Sequence, residues 1–393
     1  MTIDRGTLSE VSALRDDLGV LSLYVDADPS KQAHRPTAWE VQVKNELAGL
    51  RSSVRENETR ERAKAIHAAL DDLEPEIERT AHPSTRGRGR ALFAALGAST
   101  RLSLEFQLPT ETRAVLSATT FIRPLLAAYA QGRPAGLVTL SRSGVVVYGW
   151  DFGAVEEVER WSIHAETSEW RRMKGPAGSN PALSQQTAPQ HDRFERRLEE
   201  HQAGLVADVG AELAGLRDAR GWGRLVLAGD GKLRTALKRE LGQTPGGELV
   251  ETDRKLESLG PTELGAALLP ELEKARVRQR AELALRVDDI ARAGGGATTG
   301  VRATVAALAE GRVSELLIEH GRDFAGVRAP DGTLFAELGS AVGADASQLV
   351  DEPRLGERMI ERALATGADV ITLEASEAAP LDDAGGVGAL LRW

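Results

Sequence analysis

The chain has 393 residues and a formal net charge of −10, with 41% hydrophobic and 27% charged residues. This balance is typical of a globular protein and excludes a mainly disordered one, and the length predicts two or three domains. Cysteine is absent, which excludes disulfides, thiolate catalysis and cysteine-ligated metal sites. We recognise no signal sequence and no apolar stretch that could cross a bilayer, so we expect a cytoplasmic protein without membrane contact.

The first part of the chain, residues 1–133, is predicted to form an α+β domain. Alternating apolar and polar residues predict a strand over Leu21–Asp26. Stretches rich in Ala, Glu and Arg predict helices over Thr37–Val54 and Thr59–Glu78. The basic sequence Arg86–Arg90 is either a loop that faces RNA or a solvated turn. Further strands are expected at Ala91–Leu96, Leu102–Gln107 and Arg113–Leu116.

The middle part, residues 134–275, is predicted to be an α/β domain. It opens with a hairpin in which Gly136–Leu140 and Val145–Tyr148 flank a polar turn that contains glycine. Another strand is expected near Val155–Trp161. A buried strand at Leu225–Ala228 precedes Gly229-Asp-Gly-Lys232 and a helix through Leu241. The Gly-Asp-Gly-Lys sequence lacks the remaining residues of a phosphate loop, so we interpret it as a strand-to-helix turn.

A cationic loop and a long helix separate these strands. Between Trp170 and Arg197 there are six Lys or Arg residues against two acids, a local balance of +4 in an acidic chain. The helix is predicted to begin at Asp192, with Glu195 completing a capping box, and to end at Gly221. A loop over residues 174–191, rich in Gly, Pro and Gln, is expected to reach a polyanion. The apolar stripe of the helix is Phe194, Leu198, Leu205, Val209, Leu213 and Leu216.

The last part, residues 276–393, is predicted to be a third, α/β domain. A charged helix over Pro270–Arg292 leads into it, and Gly294–Gly296 is a candidate hinge. Two similar helix–glycine–strand segments follow, at Ala307–Glu319 and Ala363–Glu374. From residue 301 onward there are 8 Arg against 16 Asp and Glu, a balance of −8. We interpret this acidity as ordinary solvation.

Several kinds of active site lack support in the sequence. The seven histidines form no closely spaced pair, so no metal site is predicted. There is no Gly-x-Ser-x-Gly elbow, and nothing in the spacing of the acidic residues pairs two carboxylates for acid–base catalysis. No cofactor is expected.

Three stretches, in this order, resemble the archaeo-eukaryotic class-I release factors and Pelota, in the bacterial branch of that superfamily. The first is the cationic loop followed by Arg193-Phe194 and Arg196 on a long helix. The second is Leu225–Gly229 with Lys232. The third is Gly385–Trp393, which is similar to the terminal glycine-rich strand of the family. The resemblance covers residues 136–393 and is weaker before them.

The resemblance implies a three-domain, mixed α+β protein that enters the ribosomal A site. Its middle domain would carry a projecting loop and long helix to the peptidyl-transferase centre, and its C-terminal domain would be of the ribosomal L7Ae-like type. Partners would be ribosomal RNA, peptidyl-tRNA and, by analogy, a ribosomal stalk or translational GTPase. Residues expected to contact RNA phosphates are Arg171, Arg172, Lys174, Arg193, Arg196 and Arg197, with Gly175 and Gly178 as loop glycines.

The tip of the loop departs from the family's Gly-Gly-Gln. Counting back from Arg193 without gaps places Thr187–Pro189 at the position of Gly-Gly-Gln. A short insertion places Ser184-Gln185-Gln186 at that position, and this sequence resembles the glutamine-containing loops of Vms-type peptidyl-tRNA hydrolases. A third alternative is Gly178–Asn180. Gln185 or Gln186 is the predicted catalytic residue if the protein is an enzyme.

Two functions therefore remain open. Because no Asn-Ile-Lys-Ser motif occurs in the first domain, stop-codon-dependent termination is not expected. The first function is codon-independent hydrolysis of peptidyl-tRNA in ribosome rescue or quality control. The second is a non-catalytic hibernation factor that occupies the A site, similar to Balon.

Overall fold

The computed structural model describes residues 3–28, 38–141, 143–162, 204–242, 248–254, 256, 259–340 and 346–393. Contacts divide the chain into two compact units. The terminal unit combines Met1–Gly132 with Lys274–Trp393, and the middle unit is Arg133–Glu273. Both units contain helices together with parallel and antiparallel strands, which confirms the mixed α+β class. The division into three domains, with boundaries at residues 133 and 275, stays a prediction.

The N-terminal segment of the terminal unit is an antiparallel sheet covered by helices. Its strands lie in the order β3-β2-β1-β4, and three buried side chains of β1, Leu21, Leu23 and Val25, belong to one core with residues of the helices. The strands are β1 Arg15–Asp26, β2 Gly89–Ala95, β3 Arg101–Phe106 and β4 Arg113–Thr119. The helices are α1 Arg5–Ser12, α2 Ala38–Asn57, α3 Arg60–Asp72, α4 Glu74–Ala81 and α5 Arg123–Gly132.

The helix predicted over Thr59–Glu78 was wrong as a single element. It is two helices, α3 and α4, which meet at Leu73. Pro75 lies in the first turn of α4, where a missing amide hydrogen is tolerated, but it could not continue the hydrogen bonding of α3. The short helices α1 and α5 were not predicted.

Neither interpretation of the basic sequence Arg86–Arg90 is correct for its last arginine. Arg90 is 3% exposed, and the Arg88 guanidinium forms an ion pair with the buried carboxylate of Asp28. Burial lowers the pKa of Arg90, and its charge is solvated by peptide carbonyls in place of water. The guanidinium of Arg90 donates to the backbone oxygens of Thr80, His82, Thr85 and Gly87, at 2.8, 2.7, 2.6 and 3.2 Å.

The C-terminal segment of the terminal unit contains two further sheets, with strand orders β10-β16-β11-β15 and β13-β12-β14. The strands are β10 Ala297–Thr299, β11 Val313–Glu319, β12 Gly326–Arg328, β13 Leu334–Phe335, β14 Val350–Glu352, β15 Asp369–Leu373 and β16 Val387–Leu391. The helices of this segment are α9 Val301–Ala309, α10 Leu355–Ala365 and α11 Ala375–Ala378.

The two helix–glycine–strand segments have the predicted form. In each, a glycine with a positive φ follows the helix, at Gly311 (+70°) and Gly367 (+72°), and a strand begins two residues later. The two strands, β11 and β15, are parallel neighbours in the sheet. The terminal strand β16 is also present and lies beside β11.

The charged helix, α8, spans Pro261–Arg292 and begins nine residues before the predicted start. Pro270 lies inside it. Gly294–Gly296 follows the end of this helix at Arg292, and the candidate hinge there stays a prediction. The amide of Gly295 donates to the Ile290 oxygen at 2.9 Å and that of Gly294 to the Ala291 oxygen at 3.0 Å, with a φ of +70° at Gly294, which is a Schellman motif.

The middle unit is a five-stranded mixed sheet in the order β7-β6-β5-β8-β9. The first three strands form antiparallel hairpins, and β5, β8 and β9 are parallel. The strands are β5 Ala135–Ser141, β6 Gly144–Asp151, β7 Ala154–Ser162, β8 Arg224–Gly229 and β9 Glu248–Thr252. The helices are α6 at 204–220 and α7 Gly231–Leu241. Strand β9 was not predicted.

Candidate functional site at one edge of the middle sheet

The carboxyl ends of β5 and β8 mark one edge of the middle sheet. Leu140 lies beside Gly229 in the parallel ladder. The β5–β6 turn lies at the same edge, because Ser141 pairs with Gly144. Gly144 in turn pairs with Ser162, at the end of β7. Ser162, which precedes residues 163–203 of the predicted loop and helix start, therefore lies at this edge.

Helix α6 runs from this edge toward the opposite one. Its last residue, Arg220, forms an ion pair with Glu156, and Glu156 pairs with Gly149 far from the β5–β6 turn. A helix of this length spans about 25 Å, which exceeds the length of six-residue strand β8. The first described residue of α6, Gly204, therefore lies toward the same edge as Ser162. Both flanks of 163–203 are at the edge where parallel sheets commonly bind ligands.

The apolar stripe of α6 fastens it to the sheet. Val209 and Leu213 are fully buried, and they share a core with Val138 and Leu140 of β5. These positions confirm the described part of the predicted stripe, from Leu205 onward. The packing fixes the direction in which α6 leaves the sheet edge.

Gly221 ends α6, as predicted. Its φ is +64°, the amide of Trp222 donates to the Arg217 oxygen at 3.0 Å, and the amide of Gly221 donates to the Asp218 oxygen at 3.3 Å. This is a Schellman motif. Three residues, 221–223, therefore separate the end of α6 from the start of β8.

The turn after β8 is a capped helix start with no free anion site. Gly229 has a φ of +99°, and a Cβ there would lie 2.0 Å from the Leu140 oxygen. The carboxylate of Asp230 accepts hydrogen bonds from the amides of Lys232 and Leu233, at 2.9 and 3.2 Å. A phosphate would need these amides. The interpretation as a plain strand-to-helix turn is confirmed.

The predicted site residues lie outside the described residues and stay predictions, as do the helix start at Asp192 and the alternative tips at Thr187–Pro189 and Gly178–Asn180. They are the catalytic candidates Gln185 and Gln186, the RNA-contacting candidates Arg171, Arg172, Lys174, Arg193, Arg196 and Arg197, and the loop glycines Gly175 and Gly178.

Within the described ranges, no group of three or more His, Asp or Glu side chains could hold a metal ion. Among the described residues, no helix combines the length and the apolar character that a membrane span requires.

A cluster of buried charges in the terminal unit could not be predicted from sequence. The side chains of Arg123 and Glu357 are 5% and 4% exposed and form an ion pair, and Arg358 binds Glu361 at 2.7 Å. Burial raises the pKa of both glutamates, and the neighbouring arginines offset this only in part. Because 234 residues separate Arg123 from Glu357, no local pattern signals the pair. Its role is to join α5 to α10.

Comparison with known proteins gives one family match. Residues 121–275 match the model of bacterial archaeo-eukaryotic release factor family 10. No curated protein matches the chain.

Three solved structures show low similarity. The archaeal translation termination factor aRF1 is 16% identical, with 100% of this chain and 99% of that chain covered and a TM-score of 0.24. Pelota from Archaeoglobus fulgidus is 15% identical, with 78% and 79% covered and a TM-score of 0.35. Dom34 from S. cerevisiae, a translation termination-like factor that interacts with Hbs1, is 10% identical, with 78% and 80% covered and a TM-score of 0.36.

The relationship rests on the family match. That match spans the five-stranded sheet of the middle unit and the whole sequence between its strands β7 and β8. Over residues 121–275, the resemblance to the bacterial branch of the archaeo-eukaryotic release-factor superfamily is thus confirmed.

Proposed function

We propose that this protein is a ribosome-associated, release-factor-like hydrolase that cleaves the ester of peptidyl-tRNA independently of a codon. The observation that carries the proposal is the match of residues 121–275 to a release-factor family. The protein would work in the cytoplasm, in ribosome rescue or quality control.

The geometry of the middle unit supports a reaching role for residues 163–203. The residues on either side of that segment, Ser162 and Gly204, lie toward one edge of the sheet, and α6 is held against the sheet by buried side chains. A rigid base of this kind is what a catalytic segment needs in order to be presented reproducibly to a distant target.

Between Trp170 and Arg197 the segment carries six Lys and Arg residues against two acids, and this positive balance fits an RNA-lined target. Its six Lys and Arg residues would neutralise ribosomal RNA phosphates. In the proposed reaction, a water oxygen attacks the acyl carbon, the bond from that carbon to the tRNA 3′ oxygen breaks, and a proton passes to that oxygen. Gln185 or Gln186 would position the water by hydrogen bonding, which is catalysis by orientation and electrostatics.

Purified protein added to stalled ribosomal complexes and to split large subunits carrying peptidyl-tRNA tests the proposal. We expect release of the peptide, and we expect the double variant Gln185→Ala/Gln186→Ala to lower the single-turnover rate by about 100-fold or more. Gln190→Ala is the matched control and should retain the rate. Intact peptidyl-tRNA with wild-type protein, or an unchanged rate in the double variant, contradicts the hydrolase.

The departure of the loop tip from Gly-Gly-Gln favours a second candidate, a hibernation factor that occupies the A site without hydrolysis. The protein would then sediment with vacant ribosomes from starved cells and leave peptidyl-tRNA intact. Absence from the 70S and 50S fractions would exclude this function. A ribosomal stalk or a translational GTPase is the proposed further partner in either case.

A further inference from the structure

A cleft between two helices of the terminal unit is lined by cations from both helices. It lies between α2 and α3, which are joined by residues 58 and 59, and it has a volume of about 660 Å³. Arg55 of α2 and Arg60 and Lys64 of α3 line it, and all three residues are exposed. We call these three residues the cleft cations.

The acidic side chains that line the cleft are already bound by other arginines. Glu58 pairs with Arg62 at 3.0 Å, and Asp71 pairs with Arg51 at 2.7 Å. Neither of these arginines lines the cleft. Within the described part of the chain, no hydrogen bond or ion pair involves the side chain of a cleft cation. Three uncompensated positive charges therefore line one opening, in a chain whose net charge is −10.

Arg60 has a position that is unfavourable for α3 by itself. It is the first residue of the helix, directly after the N-cap Thr59, and the positive end of the helix dipole disfavours a cation there. The cleft also brings Lys64 and Arg55 near it, which adds repulsion between like charges. An anion in the cleft would offset both contributions, so the arrangement favours a negatively charged ligand.

The remaining lining residues offer no large apolar anchor. They are Ala63, His67 and Ala68, and none of the described residues that line the cleft has a large aliphatic side chain. Protein partners are held mainly by large side chains seated in well-packed pockets. An acidic protein would gain only charge contacts here, whereas charge contacts supply most of the binding of a phosphodiester strand.

The spacing of the cleft cations suits a strand with repeated charges. Arg60 and Lys64 lie about one turn apart on α3, roughly 6 Å along its axis, and Arg55 lies on the other helix. Each cation can therefore contact a different phosphate of one strand. Because no Phe, Tyr or Trp is among the described lining residues, bases have no aromatic platform to stack on, and the contacts should be independent of base sequence.

We propose that the cleft between α2 and α3 binds the phosphodiester backbone of single-stranded RNA. The guanidiniums of Arg55 and Arg60 bind phosphate oxygens through paired hydrogen bonds, and the ammonium of Lys64 adds a third contact. The choice of RNA as the polymer rests on the proposed function, whereas the phosphate contacts do not. The site is separate from residues 163–203 and from the proposed hydrolysis.

Fluorescence anisotropy with the full chain and a labelled oligo(U) of about 12 nucleotides tests the site. The triple variant Arg55→Gln/Arg60→Gln/Lys64→Gln should bind about tenfold more weakly at about 100 mM salt. The slope of log affinity against log salt should fall by about 2, because each phosphate contact contributes about 0.7 on a single strand. The assay contains no ribosome and no peptidyl-tRNA, so its result is separate from that of the peptide-release assay.

The matched control is Arg79→Gln/Arg86→Gln/Arg286→Gln, which removes the same charge. These three arginines are exposed residues of the terminal unit that do not line the cleft. Because salt screens exposed charges that lie far from the bound strand, the control should weaken binding by less than about threefold.

Equal losses in the two triple variants would show that net charge alone attracts RNA, and would overturn the proposal. No binding by the wild-type protein, or an unchanged salt slope in the cleft variant, would also overturn it. Oligo(dT) of the same length that binds more than about tenfold more tightly than oligo(U) would overturn RNA as the polymer. Poly-glutamate that competes as well as unlabelled oligo(U) would instead identify an acidic protein as the ligand.

Discussion

Replacing Arg123 by methionine should strongly destabilise the terminal unit. The side chains of Arg123 and Glu357 are 5% and 4% exposed, and the guanidinium also donates to the Arg322 backbone oxygen at 3.0 Å. Removing the cation leaves a buried carboxylate without its main partner. Breaking such a pair costs about 3–5 kcal/mol, compared with about 0–1 kcal/mol for an exposed pair. The double variant Arg123→Met/Glu357→Met should recover most of the loss, because neither charge remains.

The effect should depend on pH in a defined direction. Burial already raises the pKa of Glu357 above its ordinary value of 4.5, and loss of Arg123 should raise it further. A carboxyl with a raised pKa in the folded state contributes stability that is present below the unfolded pKa and is lost as pH rises through the folded pKa. The destabilisation of Arg123→Met should therefore be largest at neutral pH and shrink toward pH 4.5.

Hydrogen-exchange mass spectrometry at increasing urea concentration measures the loss of stability. Peptides from β1 and α10 report the unfolding free energy of the terminal unit separately from that of the middle unit. Arg302→Gln is the control, since Arg302 and Glu337 are 65% and 63% exposed. A loss below about 1 kcal/mol in Arg123→Met, or a loss that grows as pH falls, would contradict a stabilising role for the buried pair of Arg123 and Glu357.

Three further predictions concern the fold and the loop. Arg90→Met should lower the unfolding free energy of the terminal unit by about 3 kcal/mol or more, because four carbonyls lose their donor. Arg86→Gln is the control and should leave this free energy unchanged. Equal urea midpoints for the two variants would contradict a structural role for Arg90. Gly229→Ala should cost at least about 2 kcal/mol, since its φ is +99° and a Cβ meets the Leu140 oxygen, and an unchanged melting temperature would refute this. The triple variant Arg193→Gln/Arg196→Gln/Arg197→Gln should bind ribosomes with a weaker dependence on salt than the wild-type protein, measured by pelleting at about 50 to 200 mM salt. An unchanged salt dependence would exclude phosphate contacts by these residues.

Much of the fold could be predicted where local chemistry determines it. The segments at Gly311 and Gly367 were predictable because a helix end, a left-handed glycine and a buried strand leave a contiguous signal. The hairpin of β5 and β6 was equally local. Gly221 ended α6 as predicted because only a residue without a Cβ adopts its φ of +64° easily.

The errors came from features that a local pattern cannot show. Pro270 looked like a helix start, yet α8 accommodates it in its interior. The charge of Arg90 suggested exposure, but carbonyls from a chain turn solvate it. The pair of Arg123 and Glu357 brings together residues 234 positions apart, so only the tertiary structure reveals it.

Peptide release from stalled ribosomal complexes distinguishes a hydrolase from a hibernation factor. In a single-turnover assay, wild-type protein should hydrolyse peptidyl-tRNA on complexes with any codon in the A site, and Gln185→Ala/Gln186→Ala should lose about 100-fold in rate while still pelleting with the ribosomes. Binding without any hydrolysis by the wild-type protein would contradict the hydrolase and leave the hibernation factor as the function.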